Sequence, residues 1–417
     1  MYQLQETKVD YLIIGGGIAG TTAAETIRKN DANGSIMIIS DEPYNFYSRL
    51  MLSKPAVYLG QSTFDSLTMR KDEWYAQNRI TLIAGKRAVE LNAISKVVAL
   101  EDSTRLQYGK LLLAIGMTPN KLPIAGEDKP GVFYLRTRDD AEGIAKWISE
   151  AEKSAVVIGG GFIGLEMCEI LHKAGMQVTI LIREEYYWQP LLDEISGRLI
   201  EKALANGGIE VMLETSASGI VGGSGAEQVV LSDRKRIDCG MVVIGVGASV
   251  PFKWMADTGI KINRGILANE FLETSVPNVW VAGDAAEYKD VLLEETVQLG
   301  NWANAQEQGR RAGLNMVGTR EPFKFVSFYN TSAFGISIAF VGDVRLGESK
   351  NVVVRGDGKD GSYARIITKD REVVGATLIN RLAEMGVIRQ LIERNIKVGD
   401  KEKELSDPKF DLKLLLD

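Results

Sequence analysis

Two glycine fingerprints dominate the sequence: Gly15-Gly16-Gly17-Ile18-Ala19-Gly20 and Gly159-Gly160-Gly161-Phe162-Ile163-Gly164. Each closes a short apolar run, residues 9–14 and 154–158, and opens a stretch with helical spacing. Glycines in this pattern permit a tight strand-to-helix turn and let backbone N–H groups approach a pyrophosphate at the helix N terminus. One such fingerprint is weak evidence. Two in the same strand–turn–helix setting predict two dinucleotide sites in a duplicated unit. The grammar continues alike in both copies, with second strands over residues 35–40 and 177–182. The first ends at Asp41-Glu42, where such folds place an acid for a ribose; the second delivers Arg183, followed by Glu184 and Glu185.

The 417 residues allow two or three domains, and 45% hydrophobic with 25% charged residues fit an ordinary globular chain. Against 49 basic residues stand 55 acidic ones, and no long basic run favours nucleic acid or lipid headgroups. No apolar run approaches the ~20 residues of a membrane span, and the polar residues 1–10 do not read as a leader, so a cytoplasmic protein is expected. The chain has two cysteines, Cys168 and Cys239, and one histidine, His172. Two thiols suit a reducing compartment but are too few for an iron–sulfur cluster, which takes four, so any iron is expected on another protein. In this reading Cys168 and Cys239 pack in the interior, and His172 sits at a helix end.

Residues 80–113 alternate apolar and polar as a small meander would, ending in the run 111–116 that leaves the first domain. The run 241–247 leaves the second unit in the same way, and 278–284 adds a buried strand before a helix over 302–315. Beyond Pro322 the pattern changes to short strands, such as 336–341 and 351–354, then a helix over 382–394. The predicted fold is α/β: two Rossmann-like dinucleotide domains and a small α+β C-terminal domain. The boundaries are 1–115 with 241–320 for the first domain, 116–240 for the second and 321–417 for the third. Residues 356–361 superficially suggest a calcium loop but lack its ligand spacing and terminal glutamate; a hairpin turn is predicted, and no metal is assigned.

The order of motifs over nearly the whole chain resembles the FAD-dependent pyridine nucleotide oxidoreductases of the glutathione reductase fold. The resemblance rests on both fingerprints, Ala114-Ile115-Gly116-Met117-Thr118-Pro119, Glu166, Gly245-Val246-Gly247 and Ala282-Gly283-Asp284-Ala285. Tyr47-Ser48-Arg49, Leu52-Ser53-Lys54, Leu135-Arg136-Thr137 and Asn301-Trp302-Ala303-Asn304-Ala305 look like the branch of rubredoxin reductases, ferredoxin reductases and the flavin part of nitrite reductases. It implies FAD on Gly15, Gly17, Ile18, Ala19, Gly20, Asp41 or Glu42, Arg49, Lys54, Ala114, Gly116, Gly283, Asp284 and Trp302. It implies NADH or NADPH on Gly159, Gly161, Phe162, Ile163, Gly164, Glu166, Arg183, Glu184, Gly245 and Gly247.

The same resemblance pairs Lys54 near flavin N5 with Glu166 and makes them the catalytic residues. Taken alone, Lys54 reads as a solvated surface lysine, Asp284 as a helix cap and Trp302 as core packing. The relatives' CxxxxC pair has no counterpart, since residues 48–54 hold no sulfur beyond the Met51 thioether. The expected activity is hydride transfer from nicotinamide to FAD, then electron delivery to a separate acceptor such as rubredoxin or ferredoxin. The tail cations Arg381, Arg389, Arg394, Lys397, Lys401 and Lys403 either attract an acidic carrier or form a solvated face. An NADH-sensing flavoprotein or complex subunit, and direct reduction of oxygen or a quinone, are the alternatives. Glu184 and Glu185 beside Arg183 oppose a 2′-phosphate and favour NADH.

Overall fold

The computed structural model describes residues 7–150, 153–255, 258–399 and 401–416, so the first six residues of the polar N-terminal segment lie outside the described part. The chain divides into two compact units, one of residues 1–49, 65–118 and 249–327, the other of residues 50–64, 119–248 and 328–417.

The first unit is built on a seven-stranded sheet. Its order runs Ile80–Ile83, Ile36–Ile39, Thr7–Ile14, Arg105–Leu113, Val97–Leu100 and Ala88–Asn92, with Val279–Val281 pairing the far end of Arg105–Leu113. Ile13 lies opposite Ile38 on one side and Leu112 on the other, and Val281 opposite Leu113, all in parallel register. Parallel strands covered on both faces need unbroken apolar runs, and Leu12, Ile13, Leu111, Leu112 and Leu113 are fully buried.

Residues 80–113 are not the self-contained meander expected from their alternation. Ile80–Ile83 pairs in parallel with Ile36–Ile39, and only the three later strands run antiparallel. An edge strand shows alternating exposure whichever way its neighbour runs, so periodicity does not report direction.

Above the sheet, the helix Ile18–Asn30 packs on the helix Trp302–Met316. A side chain at Gly309 would come 2.2 Å from the Ala19 carbonyl oxygen, and one at Gly313 would come 2.9 Å from that of Ala23. Backbone-to-backbone contact is therefore what these two glycines supply.

In the second unit a parallel sheet runs Glu210–Met212, Gln177–Leu181, Ser154–Ile158, Met241–Ile244 and Val132–Phe133. The helix Phe162–Lys173 packs against its central strands. The C-terminal portion is a five-stranded antiparallel sheet, Phe328–Ala333, Ile336–Gly342, Glu372–Ile379, Tyr363–Lys369 and Lys350–Arg355, backed by the helix Met385–Glu393. Residues 356–361 join the last two of these strands as a hairpin. The short helix Pro55–Tyr58 lies against Phe162–Lys173 in the same unit. The architecture is the predicted one, two Rossmann-like α/β portions and a C-terminal α+β portion.

Candidate functional site

Both fingerprints adopt one geometry. Gly15 has φ of 113° and Gly159 of 112°; a side chain there would strike the Ala114 carbonyl oxygen at 2.1 Å or that of Gly245 at 2.4 Å. Gly20 and Gly164 are equally obligatory, since a Cβ would come 2.0 Å from the carbonyl oxygen of Gly15 or Gly159. Gly17 and Gly161 differ. Each precedes its helix, and a Cβ would meet nothing within 4 Å. Neither helix start is capped by a side chain, and neither first turn holds an acid.

Ile18 and Ala19 open the first helix, and Phe162 and Ile163 the second. An open glycine face over uncapped N–H groups suits an anionic phosphate, so both cradles fit a dinucleotide. Ala114 borders the first cradle and Gly245 the second; Gly116 and Gly247, two residues further on, have φ of 64° and 93°.

In the first unit Glu42 is buried and accepts hydrogen bonds from Tyr47 Oη at 2.6 Å and Arg49 Nη2 at 2.5 Å. Arg49 and Tyr47 therefore orient the acid that follows the second strand. Asp41 is exposed, with Arg87 at 3.8 Å. Gly283 donates its N–H to Gln308 Oε1 at 2.7 Å, and the half-buried Asp284 carboxylate lies against Gly300. Asn301, not Asp284, caps the next helix, accepting from the Asn304 N–H at 2.9 Å. Trp302 stacks on Phe46 with ring centroids 6.0 Å apart, so its packing reading has a definite partner.

The second unit holds the ionic centre. The 3-10 turn Arg49–Ser53 delivers Lys54, whose Nζ lies 2.5 Å from Glu166 Oε1. Glu166, on the second-fingerprint helix, is 3% exposed, while Lys54 retains 29%. Thr331 Oγ1 donates to the same carboxylate oxygen at 2.6 Å and Tyr329 Oη at 3.4 Å. Burial first, then the Glu166 charge, pushes the Tyr329 phenol well above its ordinary pKa, so it stays a donor. Sequence reasoning missed Thr331 and Tyr329, which lie more than 160 positions along the chain. Phe162 packs on Tyr329 at 4.0 Å and on Trp188 at 4.3 Å between centroids.

Cys168 and Cys239 are both buried, and burial pushes the Cys168 thiol far up. His172 is exposed in the last turn of its helix. Arg183 is 81% exposed and forks onto Glu184 Oε1 from Nε at 3.1 Å and Nη2 at 2.8 Å. Arg381 does not belong to a solvated basic face: it is paired with Glu384 and donates to the Pro408 carbonyl at 3.1 Å.

Residues 9–309 match the family described as pyridine nucleotide-disulphide oxidoreductase, and residues 331–416 match the reductase C-terminal family. The chain belongs to the pyridine nucleotide-disulphide oxidoreductase family. Members use FAD and NAD(P)H, which the two cradles fit. The chain is 29% identical over 402 residues to a nitrite reductase [NAD(P)H] of Bacillus subtilis, covering 95% of this chain and 48% of that one. It therefore spans about half the length of that relative. Rhodocoxin reductase of Rhodococcus erythropolis is also 29% identical, over 97% of this chain and 94% of its own. Among solved structures, the ferredoxin reductase for the CYP199A2 system from Rhodopseudomonas palustris superposes with a TM-score of 0.89 at 28% identity, over 98% of this chain and 100% of that one. No helix among the described residues is long and apolar enough to cross a membrane.

Proposed function

We propose that this chain is an FAD-dependent NADH reductase that passes electrons to a separate carrier without using a thiol. The observation that carries the reading is the Lys54–Glu166 pair, an ammonium fixed at 2.5 Å on a carboxylate of the second-fingerprint helix. In the proposal FAD, when bound, supplies a two-electron acceptor for nicotinamide hydride and a one-electron donor for the carrier. Residues 1–115 with 241–320 hold it, through the first cradle, Glu42 or Asp41, Gly283, Asp284 and the helix opened by Trp302. The second cradle in residues 116–240 holds the nicotinamide nucleotide, and residues 321–417 form the C-terminal domain.

Lys54 supplies fixed positive charge where negative charge develops at the hydride acceptor, and Glu166 sets the position of that charge. A preorganised ammonium costs no reorganisation at the moment of reaction. With both thiols buried, the route a disulphide reductase would take has no candidate pair in this chain. The Arg183–Glu184 pair favours NADH, because Glu184 already occupies the guanidinium that a 2′-phosphate would need.

The carrier is proposed to be a small iron protein of the rubredoxin or ferredoxin kind, in line with the names of the relatives. A reducing compartment such as the cytoplasm is proposed, since two buried cysteines suit it. Anaerobic stopped-flow mixing of the FAD-loaded protein with NADH or NADPH, then with rubredoxin, ferredoxin, oxygen or a quinone, tests the whole reading. Rapid bleaching by NADH and reoxidation by an iron protein is the expected result. Reduced flavin that persists for minutes with every acceptor would overturn it in favour of a sensor, and fastest reoxidation by oxygen or quinone in favour of an oxidase.

A further inference from the structure

We propose that Thr331 and Tyr329 are positioning residues that hold the Glu166 carboxylate in register with the Lys54 ammonium, so that the C-terminal sheet completes the ionic centre. The inference rests on the reading that Lys54 and Glu166 serve hydride transfer, and deepens it.

The first support is register. Tyr329 and Thr331 stand two apart on the strand Phe328–Ala333, which points both side chains to one face. Their neighbours Asn330 and Ser332 are exposed, whereas Thr331 is 2% exposed. A threonine hydroxyl has a single proton. Thr331 gives it to Glu166 Oε1 at 2.6 Å and turns its lone pairs toward Lys54 Nζ at 3.4 Å. One hydroxyl thus touches both members of the ion pair. It restricts the rotation of a carboxylate that would otherwise answer to the end of a long, flexible and partly exposed lysine and to the longer Tyr329 contact.

The second support is the wall behind the phenol. Tyr329 is held by the Phe162 ring, which meets Trp188 and Phe340 at 4.3 and 5.4 Å between centroids. Tyr187, which also feels the Glu166 charge, does not substitute for these donors, because it gives its proton to the Gly161 carbonyl at 3.1 Å.

The test uses the FAD-loaded chain as wild type, Thr331→Val, Thr331→Ser, Tyr329→Phe, Glu166→Gln and the double variant Thr331→Val/Glu166→Gln. Valine fills the threonine's space without its hydroxyl. Thr331→Val is expected to slow the limiting rate of flavin reduction by NADH about tenfold while half-saturation stays within about twofold, the signature of a lost transition-state contribution. Thr331→Ser restores the rate to within about threefold, and Tyr329→Phe costs about twofold, as suits a 3.4 Å contact.

Thermal unfolding supplies a readout independent of turnover. Thr331→Val lowers the midpoint by roughly 2–4 °C in the wild-type background and by less than half as much with Glu166→Gln, since the coupled partner is gone. Wild-type kinetics in folded Thr331→Val, no rescue by serine, or equal midpoint losses in both backgrounds would overturn the proposal. A wild-type flavin that neither nucleotide reduces would instead sink the reductase reading, and the thermal cycle would still decide whether Thr331 holds Glu166.

Discussion

Lys54 keeps its ammonium beside an almost fully buried carboxylate although its own stem reaches solvent. Replacing it with methionine preserves length and removes charge. Lys54→Met is expected to retain FAD and to slow flavin reduction about a hundredfold, the usual effect of deleting one preorganised electrostatic contact; single-turnover absorbance at the flavin band measures it. Arg183 offers a second residue-level test. Glu184→Ala releases the guanidinium and is expected to tighten NADPH binding several-fold, about 1 kcal/mol, while weakening NADH less than that, as read by equilibrium titration.

Cys168, whose thiol is pushed up by complete burial, is expected to resist iodoacetamide at pH 8 in the native chain and to react once unfolded, as mass spectrometry reports. At this scale legibility follows spacing. The fingerprint glycines sit in a short, fixed pattern that the sequence displays directly, and Glu166 stands two positions beyond it. Thr331 and Tyr329 carry no such mark: they are ordinary strand residues until the fold sets them against a helix far away in sequence.

The contact between the Ile18–Asn30 and Trp302–Met316 helices turns on glycine. Gly309→Ala forces a methyl to within 2.2 Å of the Ala19 carbonyl oxygen, so the helices must part. We expect a loss of about 3 kcal/mol and easier release of FAD, read by denaturant titration monitored through flavin fluorescence. In the C-terminal sheet, Asp343 is buried with Arg345 Nη2 at 2.6 Å and Lys350 Nζ at 2.9 Å. Burial alone would raise its pKa; the donors win, and the carboxyl falls from 3.8 to about 2. A depressed carboxyl stabilises the fold above its unfolded pKa and loses that contribution as pH falls through the folded one.

The Asp343 contribution of about 2 kcal/mol should therefore be intact at pH 5 and largely gone near pH 2. Unfolding midpoints of wild type and Asp343→Asn across that range should show it as a difference between the two that shrinks toward pH 2. Elements were legible where apolar runs were long, as at 241–247. Strand direction is not legible in this way: alternation at residues 80–113 suits a meander, yet Ile80–Ile83 pairs in parallel, because exposure of alternate residues is common to parallel and antiparallel edges.

On the scale of the whole molecule, duplication was the readable part, because two copies of one glycine turn announce two α/β portions. How the chain shares itself between units was less visible, since the short segment 50–64 gives no composition signal that it joins the unit of residues 119–248. Gly159→Ala tests the independence of the two cradles. A methyl 2.4 Å from the Gly245 carbonyl oxygen should abolish nicotinamide nucleotide binding, by calorimetry, while FAD content stays near wild type.

The helix at residue 18 finds its main cover in the helix that begins at residue 302. A ribosome making this chain releases the first nucleotide turn early and its lid late. In the interval an alanine-lined surface waits for a partner not yet translated, while the central unit has every strand of its parallel sheet in hand. The first cradle to be synthesised is among the last to be closed.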